Sequence, residues 1–224
     1  LVRSHPDGHY VDATFEQGEL KREKKGETRE KNGTFVQFVP DPEIFGKYAF
    51  EEDHVCRRLR FYAYLTAGLR INYNDKTFVS EGGLQDLIRE EALYEKIYPP
   101  LHHSDKMLEF AFTHTNRFSE EYYAFVNGQY TTDGGTHLSA FREGMLKGIN
   151  EYSKAKYDGD DVREGVLGAV AIRLKDPVFE SQTKNKLGNT EIRSDLVNRV
   201  REVVVDLLHR ERKSADKLIE KIED

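Results

Sequence analysis

Cysteine, tryptophan, proline and methionine are scarce in this chain. Its 224 residues hold one cysteine, no tryptophan, six prolines and two methionines. A single cysteine, Cys56, excludes an internal disulfide and suits a reducing compartment, so a cytoplasmic location is expected. Cys56 falls beside Val55 on a helically spaced stretch and reads as a core thiol. Long apolar runs are missing too. None approaches the ~18 residues of a membrane-spanning helix, and charged residues make up 33% of the chain, so no membrane partner is expected. No basic start followed by an apolar middle marks a secretory signal. The chain opens on Leu1 rather than methionine and reads as a piece of a longer protein. Basic excess is also absent. A net charge of −6 argues against a free-standing DNA-binding module, so any DNA contact must come from a local basic face and be sensitive to salt.

What is there reads as an α+β chain in two parts. Val11, Ala13 and Phe15 alternate with Tyr10, Asp12 and Thr14, the period of a half-buried strand. The charged run from Lys21 to Gly33 mixes both signs and reads as a solvated turn. Gly33-Thr34 opens a strand over Phe35 to Val39, which Pro40 ends. Val55, Leu59, Tyr62 and Leu65 predict one face of a helix over residues 51–66. Leu69 to Val79, turning at Asn74-Asp75, predicts a hairpin, and a helix follows over about 83–94. Pro99-Pro100 marks a boundary.

In the second part, Phe110, Phe112 and His114 predict one strand of a hairpin, with Tyr122, Ala124 and Val126 on the other. Leu138, Phe141, Met145, Ile149 and Tyr152 define an amphipathic helix, which a Glu143–Lys147 pair supports on its surface. Val166 to Ile172 is almost uniformly apolar, the mark of a strand covered on both faces. Ile192, Leu196, Val200, Val203 and Leu207 form the stripe of a final long helix, with Asn189 or Thr190 as its cap. Ser214 is expected to cap a further short helix carrying Leu218 and Ile222.

Several segments imitate known sites without their chemistry. Asp133-Gly-Gly-Thr136 lacks the lysine and the glycine spacing of a phosphate loop; its glycines suit a positive-φ turn, with Thr136 capping the next helix. Asp158-Gly-Asp-Asp161 lacks a calcium loop's ligand pattern and suits a cap or turn. His102, His103, His114 and His137 have no metal-ligand spacing with the cysteine, so no metal site is expected.

The segment from Asp176 to Gly188 carries the most information. Asp176-Pro ends a strand, Gln182 and Lys184 sit on an exposed loop, and a long helix follows. A lysine and an amide on a short loop between rigid elements can meet a terminal phosphate, the lysine with three N–H donors and a point charge. By itself a Gln-Thr-Lys loop is usually only solvated. Two segments precede it, however: Asp133-Gly-Gly-Thr-His-Leu-Ser-Ala-Phe-Arg-Glu-Gly144 and Gly159-Asp-Asp-Val-Arg-Glu-Gly165. In this order the three resemble the B subunits of bacterial type IIA topoisomerases over nearly the whole chain. Glu120-Glu-Tyr-Tyr-Ala-Phe-Val-Asn-Gly-Gln-Tyr-Thr-Thr132 with Phe179-Glu-Ser-Gln-Thr-Lys184 leans towards the topoisomerase IV type, with gyrase B as the alternative.

The resemblance implies a domain plan. Residues 1–97 would be the last strands of a GHKL-type ATPase domain, 98–210 a transducer with a left-handed βαβ crossover, and 211–224 a helical linker. It also implies roles. Lys184, the catalytic candidate, and Gln182 would reach the γ-phosphate of ATP. Gly33 and Thr34 would floor the adenine pocket. Arg142 would face the cavity that admits the transported DNA segment. ATP with Mg²⁺ would serve the full-length protein, none would be bound by this chain alone, and the fragment would be inactive. Partners would be DNA, a topoisomerase A subunit in a heterotetramer, and a second B subunit when ATP binds. The family's Glu-x-x-x-Asn helix, Asp-x-Gly-x-Gly segment and glycine-rich lid have no counterpart here. Two other readings stay open: a mismatch-repair or chaperone GHKL protein, and a non-enzymatic interaction module.

Overall fold

The computed structural model describes residues 1–224. The chain divides into two compact units, Leu1–His54 and Val55–Asp224. Its α+β composition is as the sequence indicates.

In the first unit, β1 (Val2–His5), β2 (His9–Glu16), β3 (Glu19–Glu27) and β4 (Gly33–Val36) form an antiparallel sheet in the order β3-β2-β1-β4. A short helix, α1 (Pro42–Phe45), follows, started by Asp41, whose carboxylate accepts from the Glu43 amide at 2.9 Å. The expected solvated turn at 21–33 is therefore corrected, since most of it is β3. Its side chains are exposed on both faces, so no apolar alternation marks it. The strand is set by pairing instead, with Lys24 opposite Asp12, and opposite charges across a pair are favourable. The sheet leaves Phe15, Phe35 and Val36 at least half exposed, as is Phe38 just after it.

The helix α2 (Glu52–Leu65) crosses from one unit to the next. Its buried residues are Cys56, Phe61, Ala63, Tyr64 and Leu65. Cys56 is thus the core thiol expected, whereas Tyr62 points outward, 45% exposed. The hairpin is β5 (Ile71–Tyr73) with β6 (Lys76–Phe78), and α3 (Leu84–Glu91) follows.

The second unit is built on five strands: β7 (Leu101–Ser104), β8 (Leu108–His114), β9 (Glu121–Val126), β10 (Gln129–Tyr130) and β11 (Val166–Ile172), in the order β10-β9-β11-β8-β7. The predicted β8–β9 hairpin does not form. β11 inserts between them, antiparallel to β8 and parallel to β9, and β8 makes its hairpin with β7. The physical reason is burial. β11 is apolar on both sides and takes the one position that covers both.

The helices are α4 (Thr136–Ser153), α5 (Gly159–Arg163), α6 (Arg193–Arg210), preceded by a 3₁₀ turn at Thr190–Ile192, and α7 (Arg212–Glu223). One face of the sheet, through Phe110, Phe112, Val166 and Val170, packs with Phe141, Met145 and Ile149 of α4 and Val200 and Val204 of α6. The other face, through Ala111, Tyr123, Phe125 and Leu167, packs with Phe61 and Tyr64 of α2 and Leu84, Leu87 and Ile88 of α3. Helices thus cover both faces, with α3 and most of α2 in the same compact unit as this sheet. At Gly144 and Gly148, α4 meets α6 almost backbone to backbone. A Cβ there would lie 2.8 Å from the Val197 carbonyl and 2.9 Å from that of Arg201.

The predicted caps fall elsewhere. Thr136 is the first residue of α4 and makes no capping bond. Asn189 makes no side-chain cap; its amide oxygen accepts instead from the Val178 amide at 2.6 Å. Ser214 lies inside α7. Asp158 precedes α5 without a side-chain cap bond.

Candidate functional site

The turn carrying Gln182 and Lys184 is a closed loop stapled to the start of α4. Its stem is a short antiparallel ladder, with the Gly188 amide donating to Val178 O at 2.8 Å and the Glu180 amide to Lys186 O at 3.1 Å. Leu187, 1% exposed, anchors the stem in the core. Three backbone bonds tie it to the double-glycine segment: Asp133 N–H to Asn185 O at 2.9 Å, Leu187 N–H to Gly134 O at 3.1 Å, and Thr136 N–H to Leu187 O at 3.1 Å. Gly134 and Gly135 take φ of +67° and +123°, the positive-φ turn expected. A Cβ on Gly135 would lie 2.4 Å from both the amide nitrogen and the carbonyl oxygen of Leu187, so only glycine admits this approach.

At the tip, the Lys184 amide donates to Ser181 O at 3.0 Å and Lys184 holds φ +58°. A left-handed conformation costs a lysine about 1–2 kcal/mol. Residues kept in such regions cluster at sites of function. Gln182 and Lys184 are both exposed. The Lys184 ammonium lies 5.9 Å from the Phe179 ring centroid and projects from a stem that is itself fixed.

Arg142, in the second turn of α4, is not the free surface arginine that its place off the apolar stripe suggests. Its guanidinium lies 4.5 Å from the Tyr122 ring centroid, and Nη2 donates to Glu120 Oε1 at 2.8 Å. Glu120 Oε2 is 3.5 Å from Arg163 Nε, and Arg163 also holds Asp160 at 2.5 Å. Burial, followed by the Glu120 charge, pushes the Tyr122 phenol well above its ordinary range, so it stays a neutral hydroxyl. An open groove of about 460 Å³ runs from Arg142 past Thr136 and Ser139 to Lys186 and Arg193. Lys186 pairs with Glu180 at 3.0 Å, and Arg193 with Glu143 at 2.5 Å. Sequence reasoning did not single out Glu120, Arg163, Lys186 and Arg193 as site residues. Of these, only Lys186 carried a sequence signal, as the second lysine of Lys184-Asn-Lys186 on the same loop.

Gly33 and Thr34 lie on β4, paired with His5 and Ser4 of β1, and both are exposed. A Cβ on Gly33 would lie 3.2 Å from His5 Cε1. These two residues belong to the first unit; Arg142, Gln182 and Lys184 belong to the second.

The four histidines have other partners. His102 meets Glu109 at 3.1 Å and His103 meets Asp105 at 2.6 Å. His114 is fully buried. Its Nε2–H donates to Val162 O at 2.9 Å, which leaves Nδ1 to accept from the Tyr98 hydroxyl. His137 is also buried, with Nε2 3.2 Å from Thr131 Oγ1. No three His, Cys, Asp or Glu side chains converge as a metal site.

A family model described as DNA gyrase B matches residues 75–224. The B subunit of DNA topoisomerase 4 from Borreliella burgdorferi is 46% identical over 222 residues, covering 99% of this chain and 37% of that protein. The B subunit of DNA gyrase from Thermotoga maritima is 35% identical over 230 residues, covering 90% and 36%. Among solved structures, the 43K ATPase domain of Thermus thermophilus gyrase B, in complex with an aminocoumarin, superposes with a TM-score of 0.82 at 29% identity, over 99% of this chain and 66% of that one. The topoisomerase IV ATP binding domain of Francisella tularensis, at 19% identity and a TM-score of 0.80, shares the fold. The architecture is thus that of the ATPase region of bacterial type II topoisomerases. The chain belongs to the DNA gyrase B family, the B subunits of those enzymes. It spans little more than a third of the length of the curated relatives quoted.

Proposed function

We propose that this chain is the nucleotide-sensing lever of a topoisomerase IV type B subunit, coupling ATP binding and hydrolysis to gate closure and DNA strand passage. The observation that carries the reading is the Lys184 turn: a lysine held at φ +58° on an exposed tip whose stem is bonded to the start of α4. In this reading residues 1–97 end a GHKL ATPase domain, 98–210 are the transducer, and 211–224 begin a linker. The higher identity to the topoisomerase 4 relative than to the gyrase relative favours the topoisomerase IV assignment.

Lys184 and Gln182 are donors suited to phosphate oxygens. A charge-assisted hydrogen bond contributes about 1.5–3 kcal/mol. It exists with ATP and is lost when the γ-phosphate leaves, which supplies the differential binding a conformational switch requires. The Lys184 charge also offsets charge developing on the transferred phosphoryl group, a role in which one donor is worth roughly 10²–10³ in rate. Because the stem is bonded to α4, a pull on the tip is transmitted to that helix. Gly33 and Thr34 would contribute to the adenine floor, Thr34 through its hydroxyl. The donor set here suits anions, so Mg²⁺ would be held by residues beyond this chain. Arg142 would meet DNA phosphate. The partners follow from the same reading: DNA, an A subunit in a heterotetramer, and a second B subunit in the ATP-bound state, all in the cytoplasm. By itself the chain would hydrolyse no ATP.

The test is ATP turnover by the full-length protein with Lys184→Ala and Gln182→Ala. The lysine variant should lose at least two orders of magnitude while keeping its fold, and the glutamine variant less. Unchanged turnover in both would reduce the loop to a surface turn.

A further inference from the structure

The contact between Arg142 and Glu120 is incompletely made. Arg142 gives Glu120 one N–H, from Nη2, where an arginine and a carboxylate commonly share two parallel bonds. Three atoms of this cluster are buried without a hydrogen-bond partner: Arg142 Nε, Glu120 Oε2 and Tyr122 Oη. Meanwhile the Tyr122 ring, 4.5 Å from the guanidinium, fixes the plane of the fork. The guanidinium is therefore oriented with donors unspent, and the carboxylate has an oxygen unspent. Arg163 Nε already stands 3.5 Å from that oxygen.

We propose that Glu120 is an exchangeable internal counter-anion of Arg142. A phosphate of duplex DNA takes its place on the guanidinium, and the carboxylate transfers to Arg163. This rests on the reading of Arg142 as a DNA contact. The two non-bridging oxygens of a phosphodiester match the Nε/Nη fork that Glu120 fills by half. Transfer to Arg163 keeps the Glu120 charge paired, which matters because an unpaired carboxylate in a part-buried place is costly. The exchange joins three elements, since Glu120 precedes β9, Arg142 lies on α4 and Arg163 on α5. DNA contact would thus be felt where the crossover from β9 through α4 enters β11. It also gives a chain of net charge −6 a cation that is silent until DNA is present.

Binding of the full-length protein to duplex DNA over a salt series tests this, using wild type, Glu120→Gln, Arg142→Ala and the double variant. Glutamine keeps the shape and one acceptor but removes the competing charge. Glu120→Gln should bind about two- to fivefold more tightly, the range of a part-exposed ion pair. Its plot of log affinity against log salt should keep the wild-type slope, since the same phosphate is contacted and the displaced carboxylate stays paired with Arg163, whereas Arg142→Ala should flatten it by about 0.9. On the Arg142→Ala background the same change should do nothing. Glu120→Asp, which keeps the charge, should stay near the wild-type affinity and controls for misfolding. If Arg142→Ala weakens binding while Glu120→Gln matches wild type or binds less tightly, the exchange is wrong and the DNA reading of Arg142 stands. If Arg142→Ala changes neither affinity nor slope, the DNA reading itself fails.

Discussion

Replacing Gly135 with alanine tests whether the Lys184 turn is a rigid extension of α4. The methyl group would sit 2.4 Å from two backbone atoms of Leu187 and 2.9 Å from its Cα. Backbone cannot rotate away as a side chain can, so the stem must move. Movement breaks the two bonds flanking the contact, Leu187 N–H to Gly134 O and Thr136 N–H to Leu187 O, at about 1 kcal/mol each. The positive φ adds a strain of order 1–3 kcal/mol. The total is about 3 kcal/mol or more, felt first as local opening. Gly134→Ala supplies the comparison. Its φ is also positive, but its nearest contact is Leu138 Cδ2 at 2.8 Å, the end of a flexible side chain, so about 1–2 kcal/mol is expected. Amide hydrogen exchange at Leu187 and Thr136 reads the difference. Gly135→Ala should speed exchange there by about two orders of magnitude, since 1.4 kcal/mol is a factor of ten. Equal exchange in the two variants would refute the stapled-turn reasoning.

Further outcomes follow from packing and charge. Gly144→Ala gains up to about 1 kcal/mol in helix propensity but places a Cβ 2.6 Å from Val200 Cβ and 2.8 Å from Val197 O. Overpacking at about 1–3 kcal/mol should win, and urea unfolding should show a net loss; a gain in stability would mean that the helices part freely. Val200→Ala should not rescue it, because alanine keeps the Cβ. Burial pushes His114 and His137 down to about 4, below an unfolded value near 6.5. The unfolded chain therefore binds more protons between those values, so this stability is full above pH 6.5 and is lost as pH falls towards 4. Each histidine should cost about 2 kcal/mol between pH 7 and pH 5, and His137→Gln should flatten the unfolding profile; an unchanged profile would contradict the burial argument.

Much of this was legible because the signals were local. The stripes of α4 and α6, the both-sided apolar run of β11 and the glycine pair before Thr136 each state their structure within a few residues. Pairing partners were not legible. β8 and β9 look like neighbours because both alternate, and nothing in either one announces that β11, forty residues further on, will separate them. β3 was missed for a related reason. With both faces exposed, its strand character lives in the ladder with β2 rather than in its own pattern. In the site, the exposed lysine and glutamine could be named from their motif. The lock on Arg142 could not, because Glu120 and Tyr122 reach it from the start of β9 while Arg163 holds Glu120 from α5, segments far from Arg142 in sequence. The caps failed because Asn189 spends its amide on the 176–189 loop, and because Thr136 and Ser214 sit inside helices whose starts the backbone sets.

ATP hydrolysis by the full-length protein carrying Lys184→Ala, beside Lys184→Arg and wild type, tests the central claim most directly. The account predicts a fall of at least two orders of magnitude for alanine, partial recovery with arginine, and an unchanged melting temperature in both. Wild-type turnover by the alanine variant would contradict it.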